Sequence, residues 1–542
     1  MTTSTDADGF AHVEGGGESL DRRDLLVIAV VLLLAVAVRI VFSRGIFSPD
    51  ETNYLRNAAA WLADRFVLKD ALFLHDTRPL MFVPVAWSFA AWGVSEMTAL
   101  MWPFMASVGV VVGVYLTSRR LLGREAAGYA ALCAAFFPLL AQESTRLLPG
   151  VVMNLLTALC VLFFVISEQA RRRRWLWLAA SGAAYGAIQS AGELGIVLGL
   201  LFLAAVIMWR RYSLWSYWPA VAGFLGVTLL IALYYWAETG TPLFKIELSK
   251  NVYEQVRTVA PHQPLYYSRL LLKPLAGGGG VFYLAGIGCL AALFDRRRAA
   301  LFIALWIAMT FALLEFGSIS LTEYRPLSKE VRYFSVVSVP MVILAGYGVL
   351  WIRRVATRWQ RGGGGVFSTG IVVAVFVLVA LTSIITLHSQ RERVRDQRTN
   401  LVKLRDHVRR YEGRPIYVTH WLWNTKVGYF MRFEEEYLPS GYDPYHAVHL
   451  ESADSTSMNR YVQTLKPGEP MGPGLLVHDE RLFEISQGET ESWSIGRGEI
   501  PEVLARIPSE WRLVDRVTIS ERFVLALYDI PEGAVWPADG EH

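Results

Sequence analysis

Two adjacent carboxylates, Asp50 and Glu51, are the residues of this chain whose type and position point most directly to chemistry. They lie eight residues beyond the first hydrophobic segment, 25–42, where the chain would leave a membrane. A carboxylate at the edge of a bilayer can accept a proton from a hydroxyl nucleophile while a lipid-linked donor reaches it from the hydrocarbon. The pair therefore suggests general-base catalysis by Asp50.

Helix capping is the alternative explanation of the same pair. Ser48 and Glu51 have the spacing of a capping box, with Pro49 at the first helical position. Acidic side chains in a first turn also interact favourably with the helix dipole. The two interpretations are compatible, because a capped helix would hold Asp50 rigidly and favour its ionised form, as a general base requires.

Two arginines could hold an anionic group near these acids. Arg78 precedes Pro79 in the same predicted outer loop as Asp50. Arg332 opens a later apolar segment, just after Lys329. Guanidinium groups bind phosphate well, and an arginine at membrane depth is costly unless it is paired or hydrated. The alternative for both is that the side chain simply extends from an apolar segment to the membrane interface.

Two glutamates, Glu143 and Glu193, lie at the predicted outer ends of apolar segments. Acidic side chains at membrane depth are functional hypotheses by default. Each could instead pair with a nearby arginine, such as Arg146 or Arg39. No clean ligand spacing supports a metal role for His75, and the sequence predicts neither a metal site nor a cofactor.

The composition indicates a membrane protein. The chain has 542 residues, of which 53% are hydrophobic, and apolar stretches long enough to cross a bilayer recur up to residue 387. The net charge of +4 gives no support to binding of nucleic acid. All three cysteines lie in apolar segments, so they predict neither a disulfide framework nor a metal cluster.

Arginine clusters between the apolar segments set the predicted topology. By the positive-inside rule all of them would face the cytoplasm, which is consistent only if the short segment 79–93 stays outside as an interfacial helix. The remaining segments give about 11 spans, with the N-terminus in the cytoplasm and the C-terminus outside the cell membrane. The clusters lie at 119–124, 171–174, 210–211, 296–298 and 353–361.

Changes in composition divide the chain into four parts. Residues 1–20 are predicted to be a disordered tail, 21–390 a transmembrane domain, 391–411 a connector helix, and 412–535 an extracytoplasmic domain. The predicted fold class is therefore a polytopic α-helical membrane protein with a C-terminal soluble α/β domain. Strand patterns in that domain occur at 415–419, 474–478, 511–517 and 522–530, the last two as an antiparallel pair.

The order of these features resembles the GT-C glycosyltransferases. A first span is followed by Asp50-Glu51, by Tyr54 three residues further on, and later by Arg78-Pro79. The resemblance is to the branch that contains the dolichyl-phosphate-mannose protein mannosyltransferases and the lipid A aminoarabinose transferases.

A second part of the resemblance lies near the end of the transmembrane domain. The stretch that begins with Arg332-Tyr333 and leads into a span rich in alanine and glycine is similar to a later landmark of the same family. Together the two parts cover roughly residues 20–390, whereas residues 412–535 carry no such resemblance.

The resemblance implies transfer of a sugar, with inversion, from a polyprenyl-phosphate donor to a lipid, protein or glycan acceptor on the outer face of the membrane. By that analogy Asp50 would activate the acceptor with Glu51 as its support. Arg78 and Arg332 would stabilise the departing phosphate, where negative charge must be held. The other candidate substrate-binding residues are Tyr54, Glu143, Glu193, Lys329 and Tyr333.

Two other classes of function are open on the sequence alone. A non-catalytic lipid-binding or export component could be built on the same scaffold, and Asp50 would then serve only the capping box. A transporter is disfavoured, because the sequence has no internal repeat and no matching pair of broken spans in its two halves.

Overall fold

The computed structural model describes most of the membrane region and the strands of the C-terminal region. The described residues are 20–46, 48–70, 74–170, 172–192, 195, 197–209, 212–255, 265–273, 277–318, 324, 327, 331–359, 365–410, 414, 416–418, 447–450, 463–465, 470–479, 511–520 and 523–535.

Helices dominate the chain up to residue 409. They are α1 (Arg22–Val41), α2 (Pro49–Leu62), α3 (Pro79–Trp92), α4 (Glu96–Leu122), α5 (Arg124–Phe136), α6 (Pro138–Glu143), α7 (Pro149–Gln169), α8 (Arg174–Ala191), α9 (Val197–Trp209), α10 (Trp218–Thr239), α11 (Phe244–Gln255), α12 (Tyr266–Leu271), α13 (Val281–Asp295), α14 (Arg298–Phe316), α15 (Ser338–Trp359) and α16 (Gly365–Arg409).

Among the described residues, seven helices are long and apolar enough to cross a membrane: α1, α4, α7, α10, α14, α15 and α16. Three shorter apolar helices, α3, α9 and α13, coincide with other segments identified by hydropathy. The polytopic helical class is therefore confirmed, while the total of about 11 spans stays a prediction.

The degree of burial separates central helices from peripheral ones. Of the seven long apolar helices, α15 is the most buried and α10 the least. The small residues Ala345 and Gly346 let α15 lie close to its neighbours, as is usual where helices pack within a membrane. Leu225, Leu229 and Leu233 of α10 are exposed, which suits contact with lipid.

The short segment 79–93 forms α3, which packs against α2 and α4. Pro79 occupies the first turn, where a missing N–H costs nothing, and the helix ends at Gly93 with a positive φ of 80°. Phe82 and Phe89 are buried on one side, and Trp87 is exposed. That α3 lies in the interface without crossing the membrane stays a prediction.

The C-terminal region contains one six-stranded sheet in the order β3-β2-β1-β4-β6-β5. Strands β1 to β4 pair in parallel, and β6 is antiparallel to both β4 and β5. The strand patterns found in the sequence, including the antiparallel pair, are therefore confirmed. The strands are β1 (Ile416–Val418), β2 (Ala447–Leu450), β3 (Gln463–Leu465), β4 (Gly474–Asp479), β5 (Arg512–Ser520) and β6 (Phe523–Ile530).

The last apolar segment and the charged connector form a single helix, α16, of 45 residues. At a rise of 1.5 Å per residue, such a helix is about 67 Å long, which exceeds the thickness of a bilayer. Its first half is apolar and its second half is charged. The helix therefore extends without a break from the transmembrane bundle to Arg409, and it packs against β5 of the sheet.

Candidate active site

Asp50 lies in the first turn of α2 with two basic side chains on its carboxylate. Arg332 Nη1 donates to Asp50 Oδ2, and His75 Nε2 lies 3.3 Å from Asp50 Oδ1. The Asp50 side chain is 26% exposed, so it remains accessible to a substrate. The structure thus brings Arg332, 282 positions away in the sequence, into contact with Asp50 beside His75.

These basic neighbours determine the charge state of Asp50. Burial by itself would raise the pKa of the carboxyl, but His75 and Arg332 outweigh that effect and hold the pKa well below its usual range. Asp50 is therefore ionised throughout the physiological range. A carboxylate stabilised in this way is also a weak base for as long as both partners stay in place.

Glu51 is fully buried and both of its carboxylate oxygens are engaged. Oε2 accepts a hydrogen bond from the backbone N–H of Ser48 at 2.7 Å, which is the backward contact of the capping box. Oε1 accepts from Arg146 Nε at 3.2 Å. Glu51 therefore anchors the start of α2 to the chain that joins α6 and α7, and it leaves Asp50 to face the site.

Arg78 and Tyr54 extend the site on the side of His75. Arg78 Nη1 donates to Tyr54 Oη at 3.0 Å, and Tyr54 is fully buried. The Tyr54 ring meets the His75 ring edge-on, with a centroid distance of 5.1 Å. The turn Leu74–Thr77 that carries His75 is held by Tyr235 of α10, whose Oη donates to the carbonyl of Thr77 at 2.7 Å.

Arg332 and Tyr333 lie in a short 3-10 helix, Val331–Val337, that precedes α15. The guanidinium carbon of Arg332 lies 5.3 Å from the centre of the Tyr333 ring. The neighbouring Phe334 is fully buried and stacks on Tyr267. Phe334 thus anchors this turn to the core while Arg332 extends to Asp50.

Glu143 is placed in the site by a break between two helices. Helix α5 stops at Phe136, and Pro138 starts the separate helix α6, which ends at Glu143. The Glu143 side chain is buried, and burial raises the pKa of its carboxyl against the opposing charges of Arg146 and Arg332. A protonated or hydrogen-bonding role is thereby open to this side chain.

Two buried polar atoms lie close to Gly150. A Cβ atom at position 150 would come within 2.8 Å of Glu143 Oε2 and 2.5 Å of Ser335 Oγ, so a larger residue there would displace these two side chains. Neither of these two buried oxygens has a hydrogen-bond partner among the described residues. Buried polar atoms of this kind usually bond to water or ligand.

The arginine pairing suggested in the sequence for Glu143 takes another form in the structure, and Glu193 lies outside the described residues. Arg146 bonds to Glu51. Arg39 is fully buried, and it donates to Ser107 Oγ at 2.7 Å and to the carbonyl of Ala135 at 3.3 Å, near the end of α5. Arg39 therefore supports the helix break that leads to Glu143.

Most of the predicted site residues form one cluster, and two cannot be located. Glu193 and Lys329 lie outside the described residues. Among the described residues, no group of three or more His, Cys, Asp or Glu side chains could hold a metal ion. The residues brought together are Asp50, Glu51, Tyr54, Arg78, Glu143, Arg332 and Tyr333.

Sequence reasoning missed three members of this cluster. His75 was considered only as a metal ligand, yet its ring touches Asp50. Arg146 was a possible partner of a glutamate, but of a different one. Arg44 was not considered, and it lies close enough to Glu143 and Arg146 for their charges to shift its pKa, although burial contributes most to the lowering to about 9. Only its position before the acidic pair could have pointed to Arg44.

The chain has the fold predicted from the resemblance to the GT-C glycosyltransferases. A sequence model of the family described as dolichyl-phosphate-mannose-protein mannosyltransferase matches residues 77–236, less than a third of the chain. The match includes Arg78 and Glu143 but neither Asp50 nor Arg332. No curated protein matches the chain in sequence.

The chain is similar in structure to ArnT, an aminoarabinose transferase, over most of its length. The apo crystal structure of ArnT from Cupriavidus metallidurans matches with a TM-score of 0.60 and 15% identity, over 93% of this chain and 97% of that chain. ArnT bound to undecaprenyl phosphate matches with the same values. The oligosaccharyltransferase AglB from Archaeoglobus fulgidus, with an inhibitory peptide and a dolichol-phosphate, matches at a TM-score of 0.48 and 12% identity, over 76% of this chain and 63% of that chain. The resemblance and the fold class are confirmed.

Proposed function

We propose that the protein is a membrane glycosyltransferase that moves a sugar from a polyprenyl-phosphate donor to an acceptor at the outer face of the membrane. The observation that carries this proposal is the partly exposed carboxylate of Asp50, held between His75 and Arg332 at the start of α2. This site occurs in a chain with the fold of ArnT, a relative that has been seen with bound undecaprenyl phosphate.

Asp50 acts as the general base in this proposal. A hydroxyl or amine of the acceptor attacks the anomeric carbon of the donor sugar, and its proton passes to Asp50. The bond between that carbon and the phosphate oxygen breaks with inversion, and the electron pair leaves with the polyprenyl phosphate. Phosphate is a good leaving group, so the site has to stabilise its charge and does not need a strong acid.

In this proposal Arg332 pairs first with Asp50 and then, once the donor has bound, with the donor phosphate. In the described structure its guanidinium pairs with Asp50, which keeps that carboxylate ionised but weakly basic. A donor phosphate competes for the same guanidinium, because arginine binds phosphate with strong charge-assisted hydrogen bonds. Binding of the donor would thus free Asp50 and make it more basic when the acceptor is needed.

Arg78 forms the second half of the phosphate site in this proposal, and Tyr54 and Tyr333 orient the two arginines. Arg78 is hydrogen-bonded to Tyr54, and Arg332 lies against the ring of Tyr333. These contacts reduce the freedom of two long side chains before the donor binds, which lowers the cost of ordering them. Lys329 would add positive charge to this phosphate site.

The pair of polar atoms beside Gly150 is the proposed contact point for the sugar. Glu143 Oε2 and Ser335 Oγ are buried, close together and without partners among the described residues. A hydroxyl or amino group of a sugar would satisfy both atoms. Glu193 is a further sugar contact in this proposal.

The proposed orientation has the N-terminus in the cytoplasm and the sheet outside, so that Asp50 faces the outer side. A cysteine introduced at Ser95, between α3 and α4, would report on it. Labelling of Ser95→Cys by an impermeant reagent from outside is expected. Labelling only from the cytoplasm would mean that α3 crosses the membrane and that the topology is wrong.

The test of function is transfer by the purified protein in lipid, with a panel of polyprenyl-phosphate sugars and of acceptors. Release of polyprenyl phosphate and formation of the glycosylated product should both occur with at least one pair, and both should be lost in Asp50→Asn. Binding of polyprenyl phosphate without transfer from any donor would favour the alternative, a non-catalytic lipid-binding component.

A further inference from the structure

The loop between α1 and α2 is hydrogen-bonded to the charged half of α16. Arg398 binds Glu96 with two parallel hydrogen bonds, Nη1 to Oε1 and Nη2 to Oε2, each 2.8 Å long. The same Nη1 also donates to the carbonyl of Arg44 at 3.1 Å. Glu96 Oε1 in turn accepts from the backbone N–H of Ile46 at 2.8 Å.

The loop is shaped to receive this guanidinium. Gly45 has a positive φ of 69°, and a Cβ atom there would overlap with Arg398 and with Glu96. Any other residue would therefore be strained in its backbone and would also displace the ion pair. A second contact, from Arg44 Nη2 to Gln390 Oε1, ties the loop to α16 two turns earlier.

The position of this contact in the chain matters for the site. The loop of residues 43–48 leads directly into the first turn of α2, whose cap is Ser48 and whose second helical residue is Asp50. The capping box sets the residue at which α2 begins, and the loop before it influences how the start of the helix, with Asp50, is oriented toward Arg332.

The far end of α16 is attached to the soluble sheet. His407 Nε2 lies 2.8 Å from Asp515 Oδ2 of β5. Because α16 is one continuous helix, a displacement of the sheet would be transmitted along it to Arg398. The helix thus connects the sheet to the loop that precedes Asp50.

We propose that Arg398 is a positioning residue for the transfer reaction, and that through it the C-terminal sheet sets the alignment of Asp50. The inference rests on the proposed function, since it assumes that Asp50 is the base. In this proposal the charged half of α16 does more than connect two domains. The ion pair of Arg398 with Glu96 joins α16 both to α4 and to the loop that precedes α2.

The alternative is that the Arg398–Glu96 pair only adds stability. It makes a different prediction, because a purely stabilising contact would change the melting temperature without changing the reaction of the folded protein. A positioning contact would lower kcat much more than it changes the KM for the donor. Misplacement of a catalytic group by about 1 Å can cost on the order of 100-fold in rate.

The experiment compares three variants of the full-length protein in lipid. Arg398→Ala removes the contact, and Arg398→Lys retains the charge but not the paired hydrogen bonds. The matched control is Arg395→Ala, one turn earlier on α16, where the side chain is 72% exposed and pairs only loosely with Glu392 at 3.8 Å. Hydrogen exchange of the backbone at 43–51 and the steady-state constants are measured for each.

We expect Arg398→Ala to speed exchange at 43–51 and to lower kcat roughly 10–100-fold, with Arg398→Lys intermediate and Arg395→Ala like the wild type. Unchanged exchange in Arg398→Ala would overturn the inference, and so would faster exchange with unchanged kcat. Exchange does not depend on activity. If Asp50→Asn is fully active, the proposed function fails and the positioning of a base with it, while the exchange result still decides whether the loop is held by Arg398.

Discussion

Two acidic residues at the starts of helices, Asp24 and Asp50, have similar sequence contexts and different surroundings. Asp24 in the first turn of α1 is fully buried. Its carboxylate accepts from Tyr115 Oη at 2.6 Å, from Arg124 Nε at 2.8 Å and from the backbone N–H of Asp21 at 3.2 Å, and it pairs with Arg119 at 2.8 Å. The acceptor sites of Asp24 are filled by the protein itself.

Asp50 has fewer protein partners than Asp24, and its side chain is 26% exposed. One partner is a histidine, and the other, Arg332, is a group for which a phosphate would compete. An acid in a first helical turn is therefore structural where other protein groups fill all of its hydrogen-bond acceptor positions. It is available for chemistry where a partner can be exchanged for a ligand.

The largest expected effect is the loss of transfer in Asp50→Asn. Asparagine has nearly the same size and still favours a helix start, but it cannot accept the proton, so the rate should fall by about 10²–10⁴. Turnover and thermal melting are measured together. If the variant is active, or is inactive only because it is unfolded, the role of Asp50 is structural, like that of Asp24.

Replacement of Arg332 should have the next largest effect and should also change the pH dependence. Arg332→Ala should weaken donor use by about 1.5–3 kcal/mol, the scale of a charge-assisted hydrogen bond. Arg332 lowers the pKa of Asp50, and the base works only above that pKa. Removing Arg332 therefore raises the pKa and should move the acidic limb of the kcat/KM profile to higher pH.

The profile of kcat/KM against pH, for the wild type and for Arg332→Ala, provides the measurement. A limb that stays in place would mean that Arg332 does not act on the base. A limb that moves to lower pH would have the wrong sign for an ion pair with Asp50.

Arg78→Ala should weaken donor use by a similar amount, about 1.5–3 kcal/mol, without moving the acidic limb. Its hydrogen bond to Tyr54 connects it to that ring rather than to Asp50. Tyr54→Phe is the matched control, because it removes the hydroxyl that orients Arg78 and leaves the guanidinium. Unchanged donor affinity and rate in Arg78→Ala would separate this arginine from the phosphate site.

The comparison of Asp24 with Asp50 also shows which features could be predicted from the sequence alone. The start of α2 follows from local rules, because Ser48, Pro49 and Glu51 all lie within one turn. The long apolar helices likewise follow from composition. Local rules also allowed a structural and a catalytic interpretation of Asp50, and they could not choose between them.

The partners of the acids could not be predicted, because they come from distant parts of the chain. Arg332 lies 282 positions from Asp50, and Arg146 lies 95 positions from Glu51. A single sequence carries no signal for such a pairing. His75 was close in sequence, but its contact with Asp50 depends on how the turn Leu74–Thr77 is held by α10.

Asp24→Asn tests whether Asp24 contributes to stability and not to transfer. The substitution removes a charge that bonds to two arginines, so unfolding should become easier by about 1.5–3 kcal/mol. The folded variant should retain its transfer rate, because Asp24 lies in the first turn of α1 and outside the site. Melting temperature and turnover per folded molecule are measured. A slow but stable variant would contradict the structural role.

The smallest effect is expected for Glu51→Gln, and it tests whether the two neighbouring acids are as different as their contacts suggest. Glu51 is buried, with one oxygen on the backbone N–H of Ser48 and the other on Arg146. Glutamine keeps an oxygen that can accept from Ser48, but its amide NH2 cannot accept from Arg146, so the ion pair with Arg146 and its hydrogen bond are lost. Losing the cap altogether would cost about 0.5–2 kcal/mol.

Because Glu51→Gln retains the capping contact, its turnover should stay within about tenfold of the wild type, which corresponds to less than ~1.4 kcal/mol in the barrier. Glu51→Ala, which loses both contacts, should melt at a lower temperature than Glu51→Gln. If Glu51→Gln remains folded and yet loses as much activity as Asp50→Asn, the roles of the two acids are reversed. The proton would then pass to Glu51, and Arg146 would have to release it as Arg332 is proposed to release Asp50.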